Sequence, residues 1–148
     1  MEFFINVILP IPLQRLFTYK ITQAEAYFLQ QGMRVVVPFG KSKLYTAIVF
    51  SIHNDAPTAY EAKDIYQILD AVPIITSKQL KHWQWMADYY LCTVGEVLRA
   101  ALPSAFLLES ETLIVQNNLF EEEDMSLTDD EFLVFEALQH QSELKIKD

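Results

Sequence analysis

The sequence contains little cysteine and no long apolar run, and each absence removes a class of protein. Its single cysteine, Cys92, excludes an internal disulfide and fits a reducing cytoplasm. No apolar run approaches the ~20 residues that a membrane-spanning helix needs. The N-terminal stretch "MEFFINVILPIP" has neither the basic leader nor the small-residue cleavage site of a signal peptide. We therefore expect a cytoplasmic protein without a membrane partner.

Glycine is also scarce, and its scarcity decides how Gly40-Lys41-Ser42 is interpreted. This triplet is the tail of a phosphate-binding P-loop, which needs another glycine five residues earlier, where Val35 stands. A P-loop also opens a helix, whereas "LYTAIVFSI" after the triplet is rich in β-branched and aromatic residues, typical of a strand. The triplet therefore predicts a hairpin turn and not an ATP-binding loop.

Residues that could form a metal site or a catalytic centre are scattered. His53, His82 and His140 have no cysteine or carboxylate at metal-ligand spacing, so no zinc site is predicted. Cys92 follows a predicted helix and has no activating neighbour, which favours the role of a small buried hydrophobic residue. The sequence therefore predicts no metal ligand and no catalytic residue.

Acidic residues are in excess, but only in the last third of the sequence. The net charge of the chain is −9. Residues 1–103 hold nine basic and eight acidic residues, a net charge of +1, whereas residues 104–148 hold two and twelve, a net charge of −10. A broad basic face that coats DNA is therefore not predicted, although a small pocket with a few placed cations is compatible with the first part.

Short apolar runs rich in β-branched and aromatic residues, one of them alternating at 16–21, occupy the first half of the sequence. They predict strands at residues 3–9, 16–21, 34–40, 41–52 and 65–72, with a short helical turn or loop at 22–32 that Gly32 would cap. Short strands separated by turn signals, with no long helix between them, predict a small antiparallel barrel or a curled sheet.

Helical spacing begins at residue 76. Thr76 with Gln79, and Thr93 with Glu96, form two capping boxes. They precede "SKQLKHWQWMADYYL" and "VGEVLRAAL", the second of which ends at Pro103. These features predict a helical hairpin that packs on the sheet.

The remaining segment predicts the beginning of a second domain. It contains a strand in "ETLIVQNN" (111–118), a solvated charged loop in "EEED" (121–124) and a helix capped by Thr128 and Glu131. Ser142 resembles the cap of a further helix that the sequence does not complete. We therefore predict an α+β, mainly β protein with a first domain at 1–105 and an incomplete second domain at 106–148.

Three motifs resemble one known family. They are "VILPIPLQRLFTYKI" (7–21), "GMRVVVPFGKSK" (32–43) and "DYYLCTVGEVLRAALP" (88–103). In order and spacing they resemble the N-terminal region of the PriA family, the bacterial primosomal replication-restart DNA helicases (primosomal protein N′). The resemblance implies a small β-rich DNA-binding module that captures the 3′ end of the nascent leading strand at a stalled fork. It also implies that residues 106–148 hold the start of a winged-helix domain.

Carried over by position, the family's DNA-end pocket falls on Phe17, Thr18, Gly40 and Lys63. The resemblance implies that Phe17 stacks on or flanks the terminal base, that Gly40 lets the hairpin backbone approach the nucleotide, and that Lys63 meets the sugar-phosphate. Better-known members have an aspartate at position 18. Threonine is a weaker, neutral acceptor that also donates, so we expect weaker recognition of the strand end here, or recognition through backbone groups.

Lys41 and Lys43 flank the same turn and are candidate phosphate contacts. The alternative interpretation is that both are solvated turn residues, and the sequence leaves the two open.

The resemblance also carries expectations about cofactors and partners. In the full-length family ATP hydrolysis with Mg²⁺, and Zn²⁺ binding, belong to other domains, so this segment is expected to need no cofactor and to have no enzymatic activity. The implied partners are forked or single-stranded DNA with a 3′ end, single-stranded DNA-binding protein and other primosome proteins. A competing interpretation from another class is a protein-interaction adaptor without DNA contact, and the near-neutral charge of residues 1–103 keeps that alternative open.

Overall fold

A computed structural model describes residues 2–41, 43–111, 113–115 and 128–145, and the chain divides into two compact units. The first unit is Met1–Ser110 and the second is Glu111–Asp148. Ser42 of the predicted turn and the acidic run at 121–124 lie outside the described residues.

Five antiparallel strands form the sheet of the first unit. They are β1 (Phe3–Ile8), β2 (Phe17–Ile21), β3 (Arg34–Phe39), β4 (Lys43–His53) and β5 (Gln67–Ile68), in the order β2-β1-β4-β3-β5. β3 and β4 form the hairpin predicted around Gly40, since Phe39 pairs with Lys43. The α+β, mainly β prediction is confirmed.

The short segment from Lys63 to Tyr66 bridges the two edges of this sheet. The Lys20 N–H of β2 donates to the Lys63 carbonyl at 2.9 Å, and the Tyr66 N–H donates to the Val36 carbonyl of β3 at 2.8 Å. Within the described residues the result is a curled sheet and not a closed barrel. The predicted strand at 65–72 shortens to β5 because the chain crosses from one edge to the other there.

Adjacent residues of each strand point to opposite faces, and this alternation builds two cores. Side chains such as Ile5, Val35 and Val49 pack inside the curl. On the opposite face, Ile8 and Ile48 pair across β1 and β4 and pack under the helices. The first core makes the sheet curl around a filled interior, and the second fixes the helical hairpin.

The predicted helical hairpin consists of α2 (Ser77–Tyr90) and α3 (Val94–Ala101), and both capping boxes form as predicted. Leu80, Trp83 and Ala87 of α2 are buried against the sheet. A Cβ at Gly95 of α3 would lie 2.2 Å from the Ile11 carbonyl oxygen, so only glycine allows this close approach.

The predicted cap at Gly32 is wrong. The first helix, α1, spans Gln23–Phe28, begins with a capping box of Thr22 and Glu25, and ends before Leu29. Gly32 instead lies in a turn with φ of +90°, where an added Cβ would meet the Ile75 carbonyl oxygen at 1.8 Å. Its conformation serves the contact with the chain before α2 and does not end α1.

The end of the first unit runs beside β4. After a 3-10 turn at Ser104–Phe106, the Thr46 N–H donates to the Leu108 carbonyl at 3.1 Å, and the Ser110 N–H donates to the Leu44 carbonyl at 2.9 Å. These bonds explain why the compact unit extends to Ser110. The domain boundary after residue 105 remains a prediction.

The second unit contains β6 (Leu113–Val115), α4 (Asp129–His140) and β7 (Glu143–Lys145), and β6 and β7 pair antiparallel. The Thr128 and Glu131 capping box of α4 forms as predicted. The helix predicted after Ser142 is wrong, because Leu144 pairs with Ile114 in a strand. Cross-strand pairing overrides the local helical preference of this short segment.

Candidate nucleic-acid interface

A cavity of about 280 Å³ collects the residues that the sequence places in a DNA-end pocket. Phe17, Thr18, Gly40 and Lys63 all line it. The other lining residues are Tyr19, Pro38, Phe39, Tyr60 and Glu61. Its size is close to the lower end of the roughly 300–1,000 Å³ typical of small-molecule sites.

The curl of the sheet creates this cavity. Phe17 begins β2 and Phe39 ends β3, although β2 and β3 are not neighbours in the sheet. The loop that carries Tyr60 and Lys63 is fixed at the same place by the backbone bond from Lys20 to Lys63. Three segments far apart in the sequence therefore meet at one end of the curled sheet.

One wall of the cavity is aromatic. The rings of Phe17 and Phe39 meet edge to face with centroids 5.0 Å apart, and Phe39 contacts Tyr45 in the same way at 6.1 Å. The guanidinium carbon of Arg15 lies over the Phe17 ring, 5.3 Å from its centroid. Because a cation covers one face of Phe17, a base can stack only on the other face.

Thr18 is held by a chain of hydrogen bonds that runs across the sheet. Its hydroxyl donates to Asn6 Oδ1 at 2.7 Å, and Asn6 Nδ2 donates to Ser51 Oγ at 3.2 Å. A threonine hydroxyl has one proton and two acceptor lone pairs. Since the proton is used within the protein, the hydroxyl offers acceptor capacity to a ligand, which is the polarity that the family's aspartate would offer.

Two tyrosines complete the polar part of the cavity, and the sequence did not predict either of them. The Tyr60 hydroxyl accepts from the Thr18 N–H at 2.9 Å, and the Tyr19 hydroxyl donates to the Pro38 carbonyl at 3.0 Å. Burial, with a smaller effect of Tyr60, raises the pKa of Tyr19 far above its ordinary value, so Tyr19 stays protonated. Tyr60 lies in an irregular loop with no periodicity, so no local signal could have identified it.

Lys63 joins the loop to the hairpin. Its Nζ donates to the Gly40 carbonyl at 3.0 Å. Gly40 has a φ of +68°, in the left-handed region, and in the part of the chain that the structure describes no heavy atom beyond its chain neighbours lies within 4 Å of an added Cβ. The glycine therefore serves the turn itself, and the space beside it is open.

The two candidate phosphate contacts lie at the rim. Lys41 is exposed in the turn and Lys43 begins β4. In the part of the chain that the structure describes, neither lysine lines the cavity. Their contact with phosphate stays a prediction.

A larger cavity of about 470 Å³ lies between the loop before β2 and the junction of α2 and α3. Arg15, Asp88 and Cys92 are among its lining residues, and it contains none of the four residues of the predicted pocket. Cys92 is half-buried there. Size therefore does not identify the candidate interface, whereas the convergence of the predicted residues does.

Neither a metal site nor a membrane-spanning helix is found in the part of the chain that the structure describes. Within residues 2–41, 43–111, 113–115 and 128–145, no group of three or more His, Cys, Asp or Glu side chains could hold a metal ion. Over the same ranges no helix is long and apolar enough to cross a bilayer.

Comparison with known proteins identifies the family. Residues 6–103 match the family described as the 3′ DNA-binding domain (3′BD) of PriA. This chain belongs to the PriA family. The resemblance inferred from the three motifs is therefore confirmed, and the matched family is a DNA-binding domain and not a catalytic one.

Curated relatives, each named replication restart protein PriA, agree with that assignment. The Haemophilus influenzae protein is 39% identical over 100 residues, which cover 67% of this chain and 13% of that protein. The Treponema pallidum protein is 30% identical over a stretch that covers 68% of this chain and 16% of that protein. The Bacillus subtilis protein is 28% identical over a stretch that covers 67% of this chain and 12% of that protein. The chain thus spans about an eighth to a sixth of the length of these relatives.

Proposed function

We propose that this PriA-family domain binds the 3′ end of a DNA strand in the 280 Å³ cavity. The observation that carries the proposal is the convergence of Phe17, Thr18, Gly40 and Lys63 on that cavity. The cavity combines an aromatic wall, a hydroxyl acceptor and a lysine. These groups suit the base, the sugar hydroxyl and the phosphate of one nucleotide.

The aromatic wall would hold the terminal base. The Phe17 ring lies under the Arg15 guanidinium and meets the Phe39 ring edge to face, and these contacts would fix the orientation of the ring that the base meets. Stacking of a base on an aromatic side chain contributes ~1–3 kcal/mol and tolerates any sequence. Binding through Phe17 would therefore recognise the position of a nucleotide in the strand and not its identity.

Thr18 would recognise what only a strand end has. A free 3′-hydroxyl is a hydrogen-bond donor, whereas a continuing strand has a phosphodiester at that position. The Thr18 hydroxyl, with its proton committed to Asn6, is an acceptor suited to this donor. A neutral acceptor gains less from the bond than a carboxylate would, so discrimination would be weaker than in aspartate-bearing relatives.

Lys63 would both close the cavity and neutralise the nucleotide. Its bond to the Gly40 carbonyl joins the loop to the hairpin, and this connection would obstruct a strand that continued past the terminal sugar. The lysine would also attract the phosphate on the 5′ side, with Lys41 and Lys43 as further contacts at the rim.

The wider role follows from the family and is part of the proposal. In a longer protein of this kind the domain would hold the 3′ end of the nascent leading strand at a stalled fork in the cytoplasm. Helicase activity with ATP, Mg²⁺ and Zn²⁺, and contacts with single-stranded DNA-binding protein and other primosome proteins, would belong to the remainder of that protein.

The test compares matched oligonucleotides that end in a 3′-hydroxyl or a 3′-phosphate, by fluorescence anisotropy at one salt concentration. The phosphate adds about two negative charges and bulk, so the native chain should prefer the hydroxyl. Thr18→Asp should widen the preference by repelling the phosphate. Thr18→Val keeps the shape but removes the acceptor, and it should weaken hydroxyl-end binding about fivefold, since a neutral hydrogen bond contributes ~1 kcal/mol.

Equal affinity for the two ends in both the native chain and Thr18→Asp would refute end capture. Absence of DNA binding at low salt would favour the protein-interaction adaptor.

A further inference from the structure

The outward face of α2 carries a row of exposed aromatic rings. Buried Leu80, Trp83 and Ala87 lie on the side of the helix that faces the sheet. His82, Trp85 and Tyr89 recur at intervals of three and four residues, which places them on one face of a helix, opposite the buried side. We call His82, Trp85 and Tyr89, together with Lys78 and Lys81, the α2 ring face.

These rings are already arranged as a ladder. His82 and Trp85 are nearly parallel, with centroids 5.6 Å apart and planes 14° apart. Trp85 and Tyr89 follow at 5.2 Å and 22°. Nearly parallel rings at such separations are offset, so parts of their faces stay open, and Trp85 and Tyr89 are 55% and 66% exposed.

The first unit does not need this face for its own core. Trp83, two residues before Trp85, is only 6% exposed and packs with the helical-hairpin core, so the helix already has its buried aromatic anchor. Large rings that stay in water add little to the core of the unit that displays them, and they often mark a surface that binds a partner.

The charges beside the rings indicate the chemistry of that partner. Lys78 is one helical turn before His82, and Lys81 is one turn before Trp85, and both lysines are exposed. Asp88 is the one carboxylate on α2. A polyanion that also carries planar rings matches a row of exposed rings next to two cations.

We propose that the α2 ring face binds single-stranded DNA by stacking, at a site separate from the 280 Å³ cavity. Tyr89 lies seven positions after His82, a rise of about 10 Å along the helix at 1.5 Å per residue. This length accommodates two or three nucleotides. The bases stack on the open parts of the rings, and Lys78 and Lys81 contact the phosphates. This site needs no strand end, so it binds the interior of a strand.

The test uses a circular single-stranded oligonucleotide, which has no end to place in the cavity, and the 148-residue chain. Trp85→Ala and Tyr89→Ala should each weaken binding of the circle about tenfold, as loss of one stacked base predicts. Tyr27→Ala removes an exposed ring on α1 and should leave binding of the circle unchanged.

Two further measurements separate stacking from general attraction. DNA should quench the fluorescence of Trp85 and leave that of buried Trp83, and the quenching should be absent in Trp85→Phe at equal occupancy. Replacing Lys78 and Lys81 together with alanine should reduce the slope of log affinity against log salt by about 1.4, since each of the two single-strand phosphate contacts contributes ~0.7.

Unchanged binding of the circle by both ring variants would overturn the proposal. The proposal would also be overturned if Trp85→Ala and Tyr89→Ala lost binding to a protein partner while their affinity for DNA stayed the same. Because the circle cannot occupy the cavity, failure here leaves the 3′-end proposal intact, and failure of end discrimination leaves this one intact.

Discussion

At the scale of single residues, Gly40 meets two different requirements that cannot be distinguished from the sequence. The hairpin needs a residue at φ of +68°, and the proposed pocket needs open space beside that residue. Among the described residues other than its chain neighbours, no heavy atom lies within 4 Å of an added Cβ, so a small side chain meets no steric contact there. The conformational cost and the ligand's approach can therefore be measured separately.

Gly40→Ala should lower the free energy of unfolding by ~1 kcal/mol, because an L-residue pays for the left-handed conformation. Gly40→Asn should cost less, since asparagine tolerates that region better. If a nucleotide approaches the Gly40 backbone, both variants should weaken binding of a 3′-hydroxyl oligonucleotide. Thermal unfolding and fluorescence anisotropy on the same samples provide the two readouts.

If Gly40→Ala binds the oligonucleotide weakly and Gly40→Asn binds it normally, binding follows stability. That result would contradict close approach of the nucleotide and leave Gly40 with a role in the turn alone.

At the scale of elements, one ion pair fastens β3 to the chain that follows β5. Arg34 Nη2 lies 2.6 Å from Asp70 Oδ1, and the Arg34 backbone N–H donates to Asp70 Oδ2 at 2.8 Å. The side chains are 19% and 9% exposed. Burial opposes ionisation of Asp70, but hydrogen bonds from the Arg34 side chain and backbone outweigh it, and the pKa of Asp70 is lowered.

A lowered pKa in the folded state stabilises the protein above the unfolded pKa of about 3.9. That contribution is lost as the pH falls through the lower folded pKa. Asp70→Asn should therefore lower the free energy of unfolding at pH 7 by ~2 kcal/mol, the range of hydrogen bonds to charged groups. Urea unfolding at several pH values should show the difference from the native chain shrinking below about pH 4.

Glu2→Gln provides the control, because Glu2 pairs with Lys20 at the surface and exposed ion pairs contribute little. A constant difference between Asp70→Asn and the native chain from pH 3 to pH 7, values chosen to bracket the carboxyl range, would mean that the charge of Asp70 does not cause the effect.

At the scale of the whole molecule, the stability of the first unit depends on the residue at which it ends. Leu108 and Ser110 make backbone bonds with β4, and the buried Thr46 hydroxyl donates to the Leu108 carbonyl at 2.7 Å. A chain that ends at residue 105 leaves the Thr46 N–H and hydroxyl without these partners, although Thr46 is only 2% exposed.

Residues 1–110 alone should therefore unfold in one cooperative transition and keep DNA binding. Residues 1–105 should be less stable by about 2–3 kcal/mol, as expected for two or three lost hydrogen bonds with a buried group left unpaired. Differential scanning calorimetry of the two chains provides the comparison. Equal stability would place the boundary after residue 105, where the sequence predicts it.

Features that are encoded within a few residues could be predicted without the structure. The capping boxes at Thr76, Thr93 and Thr128 each need only a side chain and a partner three positions later, and all three form. The hairpin at Gly40 follows in the same way from one flexible residue between two strand-forming runs. The resemblance to the family then predicted, position by position, a pocket at Phe17, Thr18, Gly40 and Lys63.

Which distant residues meet could not be predicted from local patterns, because it depends on tertiary contacts. Tyr60 reaches Thr18 across 42 positions in the sequence, β5 is short because its segment bridges two sheet edges, and Ser142 precedes a strand because Leu144 pairs with Ile114. The first two outcomes depend on how the sheet of the first unit curls, and the third depends on which segment pairs with β6. A local pattern contains no information about either, because the energy that selects them comes from contacts made after the chain has folded back on itself.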